Sequence, residues 1–426
     1  MRNYLEVLRV RDYRLLWSGA VLSLLGDGVT WTVLSWMVTQ RSGASGLGVV
    51  TVCYTFPVIL GGLVVGPLLD RFSRRFLLIA DSVVRGLVVA SVPLAAAFGS
   101  VPMWQLYLVA VLFGLFRIVP LGAVPAVVPE LVDKPQVPLA AMLEIVGYGV
   151  AGVVGPALGG VLIPVLGSPT TLLAVVGSYT VFGVVIAAIR APLARPQRRR
   201  DAVVPDSGGW RPVLALMARD KVLLSITVGF AMFNFSAGML RVANPWLAAD
   251  RLSGGSHTLG LLLASYGGAQ LVGSLVAGSL KPSDRQMRRI GVLQILAGGS
   301  LLFLLVSKEP LIVAGLVLCG LLSSPMSVSS QVIRVLHIPV EMRGRSMTFM
   351  RTLMNGAIPL GSVCAAPMLQ AGLYRPMVLT MAGVAALPGA AVAIAYRKTS
   401  FGAELGLTAD APTAAVPPTP PLVPQK

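Results

Sequence analysis

DRFSRR at residues 70–75 and DRQMRR at residues 284–289 spell one pattern, D-R-x-x-R-R, twice in one chain. Upstream of each stands a second pair, RDYRLL at 11–16 and RDKVLL at 219–224, and downstream a third, VPE at 128–130 and IPVE at 338–341. Landmarks recurring in the same order and the same direction mark a parallel internal repeat, a chain built as two like halves.

Composition says what solvent those halves occupy. Of the 426 residues 55% are hydrophobic and 12% charged, where a soluble domain carries about 25% charged residues. Apolar runs of about 20 residues, the length a helix needs to cross a hydrocarbon core of about 30 Å, predict spans at 15–39, 47–69, 76–98, 102–128, 138–165, 168–189, 222–247, 257–280, 290–307, 310–333, 347–371 and 375–396. The fold class is therefore an all-α polytopic membrane protein with twelve transmembrane helices in two parallel six-helix halves. The halves are expected at 1–189 and 222–398, joined by a Pro, Gly and Arg-rich cytoplasmic linker at 190–221 and followed by a tail at 399–426 that is too Pro-rich to fold and is expected to be disordered. The end of the linker, 210–221, reads equally as a short amphipathic helix and as a solvated loop.

The net charge of +17 is a matter of topology. Of the 34 Lys and Arg, Arg41, Arg251, Lys308 and Arg375 fall on one side and Arg85, Arg117, Arg241 and Arg334 in or at the ends of spans; all others lie in the termini and in loops on the terminal side. The positive-inside rule then puts both termini in the cytoplasm of a multi-pass cell membrane protein, with no nucleic-acid partner. The charged stretch 1–14 leads into a run too long for a signal-peptide core, so the first helix is expected to be retained. Cys53, Cys319 and Cys364 lie in spans at no metal-ligand spacing and read as packing residues; no metal, cofactor or disulfide is expected. His257 and His337, near loops, carry no role. No lysine follows a glycine, which excludes a G-K-[ST] phosphate cradle, and neither a G-x-S-x-G element nor a His cluster supports an enzyme.

SLLGDGVTW at 23–31 sets Asp27 about 18 Å along its helix from Leu15, near the middle of the membrane. A charge there costs about 2.5–3.5 kcal/mol on insertion scales, so Asp27 is expected to take up and release a proton, to hold a cationic group, or to tie helices together. Arg117, deep in the fourth span, has the form of a counter-charge to Asp27, Glu144 or Asp81. Asp81 and Arg85, four apart on one helix, are expected to neutralise each other. Glu144, a few residues into the fifth span, is either a relay or an interfacial group. Trp31, Tyr148, Asn234 and Asn244 are candidates to line a central cavity, with Trp36, Phe233, Phe235 and Gln270 as weaker ones.

GPLLDRFSRR at 66–75 resembles the G-x-x-x-D-R-x-x-R-R loop signature of the major facilitator superfamily at every fixed position. The resemblance implies the major facilitator fold and assigns a conformational latch, engaged in the outward-open state, to Gly66, Asp70, Arg71, Arg74 and Arg75, with Asp284 and Arg285 at the equivalent loop of the second half. GYGVAGVVGPALGG at 147–160 resembles the antiporter signature of the fifth helix through Gly155, Pro156, Gly159 and Gly160, with Ala151 where the family has glycine. Arg117 resembles a fourth-helix arginine linked to proton transfer, although Gly122 stands one position later than in the family pattern. From residue 11 to about 396 the chain looks most like the drug/proton antiporter branch holding macrolide-efflux and enterobactin-exporter-type proteins. It is thus read as a secondary transporter, a proton-coupled exporter of a small amphipathic compound such as an antibiotic, siderophore or other secondary metabolite; uptake and lipid or lysolipid translocation on the same fold are the alternatives. Its expected partners are the bilayer, the small-molecule substrate and protons, and it is expected to act as a monomer without enzymatic activity. If Asp70 latches the halves, Asp70→Ala shifts cysteine labelling of the cavity toward the inward-open pattern; unchanged labelling refutes the latch.

Overall fold

A computed structural model describes residues 2–191, 193, 211–279, 285–339 and 342–398, and their side chains other than those of 2–5, 59–70 and 279. Among the described residues all regular structure is helical: α1 (Arg2–Arg9), α2 (Arg11–Arg71), α3 (Arg74–Ala97), α4 (Met103–Phe116), α5 (Ile118–Leu131), α6 (Val137–Leu166), α7 (Ser168–Ala188), α8 (Arg211–Arg219), α9 (Lys221–Asp250), α10 (Gly255–Ser279), α11 (Gln286–Ser300), α12 (Glu309–His337), α13 (Arg343–Gln370) and α14 (Tyr374–Ala395), with short 3-10 turns at Lys134–Gln136 and Leu301–Leu305. Among the described residues eleven helical stretches are long and apolar enough to cross a bilayer, and the first of them, broken at Gly43, is long enough for two passes.

That double pass turns on one glycine. α2 is two helical arms that meet at Gly43, which takes the non-helical φ 55° and ψ −145°, a conformation that L side chains rarely adopt. The two arms fold back antiparallel, so that Trp31 and Tyr54, nearly equidistant from Gly43, meet with ring centroids 4.7 Å apart. The fourth span is broken where the sequence leads one to expect continuity. Pro120 has no N–H for the Phe116 carbonyl and its ring crowds that oxygen, so α4 ends at Phe116, α5 begins at Ile118, and Arg117 sits at the joint.

Each half repeats the same pairings. In the second half α9 packs on α13, α10 on α12 and α11 on α14; in the first, α2 packs on α6 through its first arm and on α4 through its second, and α3 packs on α7. Between the halves the main seams are α6 on α10 and the second arm of α2 on α13. Glycines set how close these seams come: a Cβ on Gly160 would stand 2.8 Å from the Gly260 Cα, and one on Gly267 2.7 Å from the Gly152 carbonyl oxygen. Gly48 likewise faces Ala366 of α13. Most of these contacts lie toward the face opposite the one where the chain enters its first and seventh spans, here called the terminal face.

The linker and tail fall largely at 194–210 and 399–426, outside the described residues. Where description resumes, α8 is the amphipathic helix, not the loop: Val213 and Met217, four residues apart, are buried against Leu223, Ile338 and Met350 at the terminal face. Gly160→Val overfills the α6–α10 seam at a cost of about 1–3 kcal/mol, and the expected readout is faster labelling of a cysteine placed at Ser256, on the face opposite the terminal one; an unchanged rate removes the seam from that closure.

Candidate functional site

Four charges meet in the middle of the first half. Arg85 of α3 is fully buried, and its guanidinium is shared: Nε and Nη2 donate to Asp81 Oδ2 at 3.0 and 2.5 Å, Nη1 donates to Asp27 Oδ1 at 2.6 Å, and Nη2 also reaches Ser23 Oγ at 3.2 Å. Asp27 Oδ1 accepts a further bond from the Tyr179 hydroxyl of α7 at 2.9 Å. The ring of Tyr179 lies 4.6 Å below the guanidinium carbon, so one tyrosine contributes both a donor and a π face. Arg85 thus joins α2, α3 and α7.

Arg117 completes the set from the α4–α5 joint. Its Nη1 donates to the Tyr54 hydroxyl, and its Nε stands 3.6 Å from Asp27 Oδ2, a separation at which neither atom has a hydrogen-bond partner. The Arg117 side chain keeps 35% of its exposure although Asp27 keeps only 4%, so Arg117 looks into space inside the bundle. Two carboxylates and two guanidiniums sum to zero charge, which is what burial in a medium of low dielectric demands. A small cleft lined by Ser23, Asp27, Pro120, Tyr148 and Phe182 adjoins the cluster.

The glycines beside Asp27 explain how a carboxylate comes to lie here. A Cβ on Gly28 would stand 2.9 Å from the Gly155 Cα, and one on Gly26 would strike Ser178 of α7. Gly155 and Gly159 of α6 face α2, while Gly160 faces α10 of the other half. The glycine stretch of the fifth span is therefore two-sided, touching the charged helix with one edge and the opposite half with the other.

Several sequence expectations change at this level. Asp81 and Arg85 do pair, but the pair is not closed on itself; it is Arg85 that holds Asp27, while Arg117 approaches the other oxygen of the same carboxylate. Glu144 has no ion pair with the cluster. It lies one turn from Tyr148 toward the terminal face, half-buried, with Oε1 unpartnered. Trp31 is half-buried and lies under the guanidinium of Arg241 at 5.8 Å. Tyr148 lines the cleft, and Asn234 bonds the Met354 carbonyl at 3.0 Å, tying α9 to α13. Asn244 is 2% exposed and faces packing rather than open space. Arg74 pairs with Glu130 and bonds the Ala126 carbonyl at 2.8 Å, and Arg75 bonds the carbonyls of Ile189 and Ala191, so both close onto their own half. Arg71 is exposed at the end of α2, and Arg285 precedes α11. Gly66 falls within α2, and the side chain of Asp70 and all of Asp284 lie outside the described residues. Sequence reading missed Tyr54 and Tyr179, whose one signal was a hydroxyl in the middle of an apolar run.

The family model described as transmembrane secretion effector matches residues 4–415. Among curated proteins, the multidrug efflux pump Tap of Mycobacterium bovis is 27% identical over 387 residues, covering 85% of this chain and 88% of its own. Macrolide efflux protein A of Streptococcus pyogenes is 21% identical, with 82% and 87% covered. Among solved structures, a peptide transporter superposes with a TM-score of 0.73 at 14% identity over 90% of this chain and 94% of its own. A bacterial homologue of the lysosomal transporter Spinster, inward-facing and occupied, gives 0.67 at 12% identity over 92% and 97%.

Removing Arg85 strands two buried carboxylates. Arg85→Leu is expected to cost about 3–5 kcal/mol, read as a lowered melting temperature in detergent, and Arg85→Leu with Asp81→Leu should recover part of it by leaving Asp27 with Arg117; a double variant no more stable than the single one contradicts the shared-guanidinium account.

Proposed function

Because the chain belongs to the transmembrane secretion effector family of the major facilitator superfamily, we propose that it is a proton-coupled exporter of small amphipathic compounds such as an antibiotic, a siderophore or another secondary metabolite, with Asp27 as the proton carrier. Efflux is the activity for which the Mycobacterium and Streptococcus relatives are named, and the crowding of Lys and Arg on the terminal face supports a cell membrane protein with both termini in the cytoplasm. On that orientation the contacts between halves lie mostly toward the outside, an inward-facing arrangement.

One observation carries the coupling: of the two oxygens that the buried four-charge cluster leaves without a hydrogen-bond partner, Asp81 Oδ1 and Asp27 Oδ2, it is Asp27 Oδ2 that faces a second guanidinium, Arg117 Nε at 3.6 Å. Asp27 Oδ1 is held by Arg85 and Tyr179 whichever way the second oxygen is used. A proton arriving on Oδ2 cancels the charge that faces Arg117 Nε, and Arg117 then holds chiefly to Tyr54. Arg117 sits where Pro120 has already broken the helix, so α5 is free to shift against α4 when that attraction goes. Protonation therefore acts on a joint rather than on a continuous helix, and the glycine edges of α6 carry the change from α2 to the opposite half. Glu144, one turn nearer the terminal face, is placed to pass the proton between the cleft and the cytoplasm. The Arg71, Arg74 and Arg75 loop, with Asp70, serves as the latch between states.

In inverted vesicles, Asp27→Asn is expected to abolish substrate-dependent proton movement while the protein remains folded, since asparagine keeps the bonds from Arg85 and Tyr179; coupling at the wild-type rate rules Asp27 out as the carrier.

A further inference from the structure

The second half has no carboxylate in the interior of any span: its acidic residues within helices are Asp250, the last of α9, and Glu309, the first of α12. It nevertheless places an arginine deep in α9. Arg241 is about 14 Å along the helix from Asp250 and about 30 Å from Lys221, so the acids at the two ends of its own helix, Asp250 and Asp220, are out of its reach. Among the described residues its ring partner is Trp31 of the first half, 5.8 Å away, and both side chains are half-buried. Its remaining electrostatic neighbours are Arg117, which repels it, and the hydroxyls of Tyr54 and Tyr266. Asp27 and Asp81 are already balanced by Arg85 and Arg117. Toward the terminal face the same half adds Arg334 of α12 and Arg351 of α13, which repel each other. Among the described residues no carboxylate pairs with Arg241, and a guanidinium at this depth is stabilised by a counter-anion.

We propose that the exported compound carries an anionic group, a carboxylate, sulfonate or phosphate on an amphipathic body, and that Arg241 binds that group with the compound's apolar or aromatic part against Trp31. Such a ligand touches both halves at once, since Arg241 and Trp31 belong to different ones. It neutralises the charge of Arg241, which the neutral cluster of the first half leaves unbalanced. Resting on the reading of the chain as an exporter, the proposal also fits its direction: an inside-negative potential pushes an anion outward.

The test uses the full chain purified in detergent, where no proton gradient is needed, with fluorescein as an aromatic carboxylate probe and ethidium as a cation of similar size. Wild type is expected to bind fluorescein; R241Q weakens it by about tenfold, the value of one charge-assisted hydrogen bond. R241K, which keeps the charge, holds affinity within a few-fold, and ethidium binding is unaltered or tighter in R241Q. Equal fluorescein affinity in wild type and R241Q, or a wild type that binds only ethidium or neither probe, overturns the proposal, as does displacement of fluorescein by short-chain phosphatidylglycerol alone and not by other aromatic carboxylates, which assigns the site to a lipid headgroup. Loss of coupling in Asp27→Asn vesicles is a separate outcome: fluorescein binding that depends on Arg241 stands whether or not Asp27 moves the proton.

Discussion

The guanidinium of Arg85 is the contact on which the first half is built. It is buried without exposure in an apolar interior and bonded to Asp81, Asp27 and Ser23 at once. An arginine suits this position because its planar fork serves two carboxylates from different edges, which the point charge of lysine does not. Three helices, α2, α3 and α7, are thereby fixed in rotation as well as in distance, since a twist of any of them takes an oxygen or a hydroxyl off the fork. The fixed rotation is what aims Asp27 Oδ2 away from Arg85 and toward Arg117.

The repeat gives the second half a junction of the same helices, α9, α11 and α14, and a different solution. Gln294 of α11 is 1% exposed, and its amide donates to the Gly229 carbonyl of α9 at 2.9 Å and the Ala385 carbonyl of α14 at 3.0 Å. One neutral side chain does there by hydrogen bonds to the backbone what a charged triad does in the first half. Gly291 and Gly389 bring the α11 and α14 backbones together beside it. A neutral junction needs no counter-ions, and for that reason the second half supplies no acid to its own Arg241.

Much of this architecture is legible in the sequence, because span length and repeated landmarks report on the solvent and on the chain's own copying. Asp27 is legible as a deep charge for the same reason. Its partner is not: Arg85 is 58 residues away, and contact between spans depends on helix rotation that a uniformly apolar pattern leaves unspecified. Asp81 sits four residues from Arg85, which made a local pair the natural reading and hid the guanidinium's second edge. The break at Arg117 was within reach, since Pro120 three residues on removes a donor and crowds a carbonyl, but a span that is apolar on all sides gives no other sign of a joint. Tyr179 and Tyr54 are hydroxyls in apolar runs, and only the packed structure shows where each hydroxyl points.

The asymmetry between the junctions divides labour between the halves. A carrier that exchanges two species needs a titratable group that stays in the protein and a recognition surface for what leaves it. On the reading proposed above, the first half holds the proton carrier inside a cluster whose total charge is zero, so that a proton on it would change that total by one beside Arg117. The second half holds a neutral scaffold and Arg241, where the ligand proposed above would bind without competing for Asp27. The two meet at Trp31 and Arg241 and along the glycine edges of α6, where backbones touch with little side-chain interlock to resist sliding. Interlocked side chains at that seam would tie the halves into one body; bare backbone contact lets them rock while keeping the face between them closed to water.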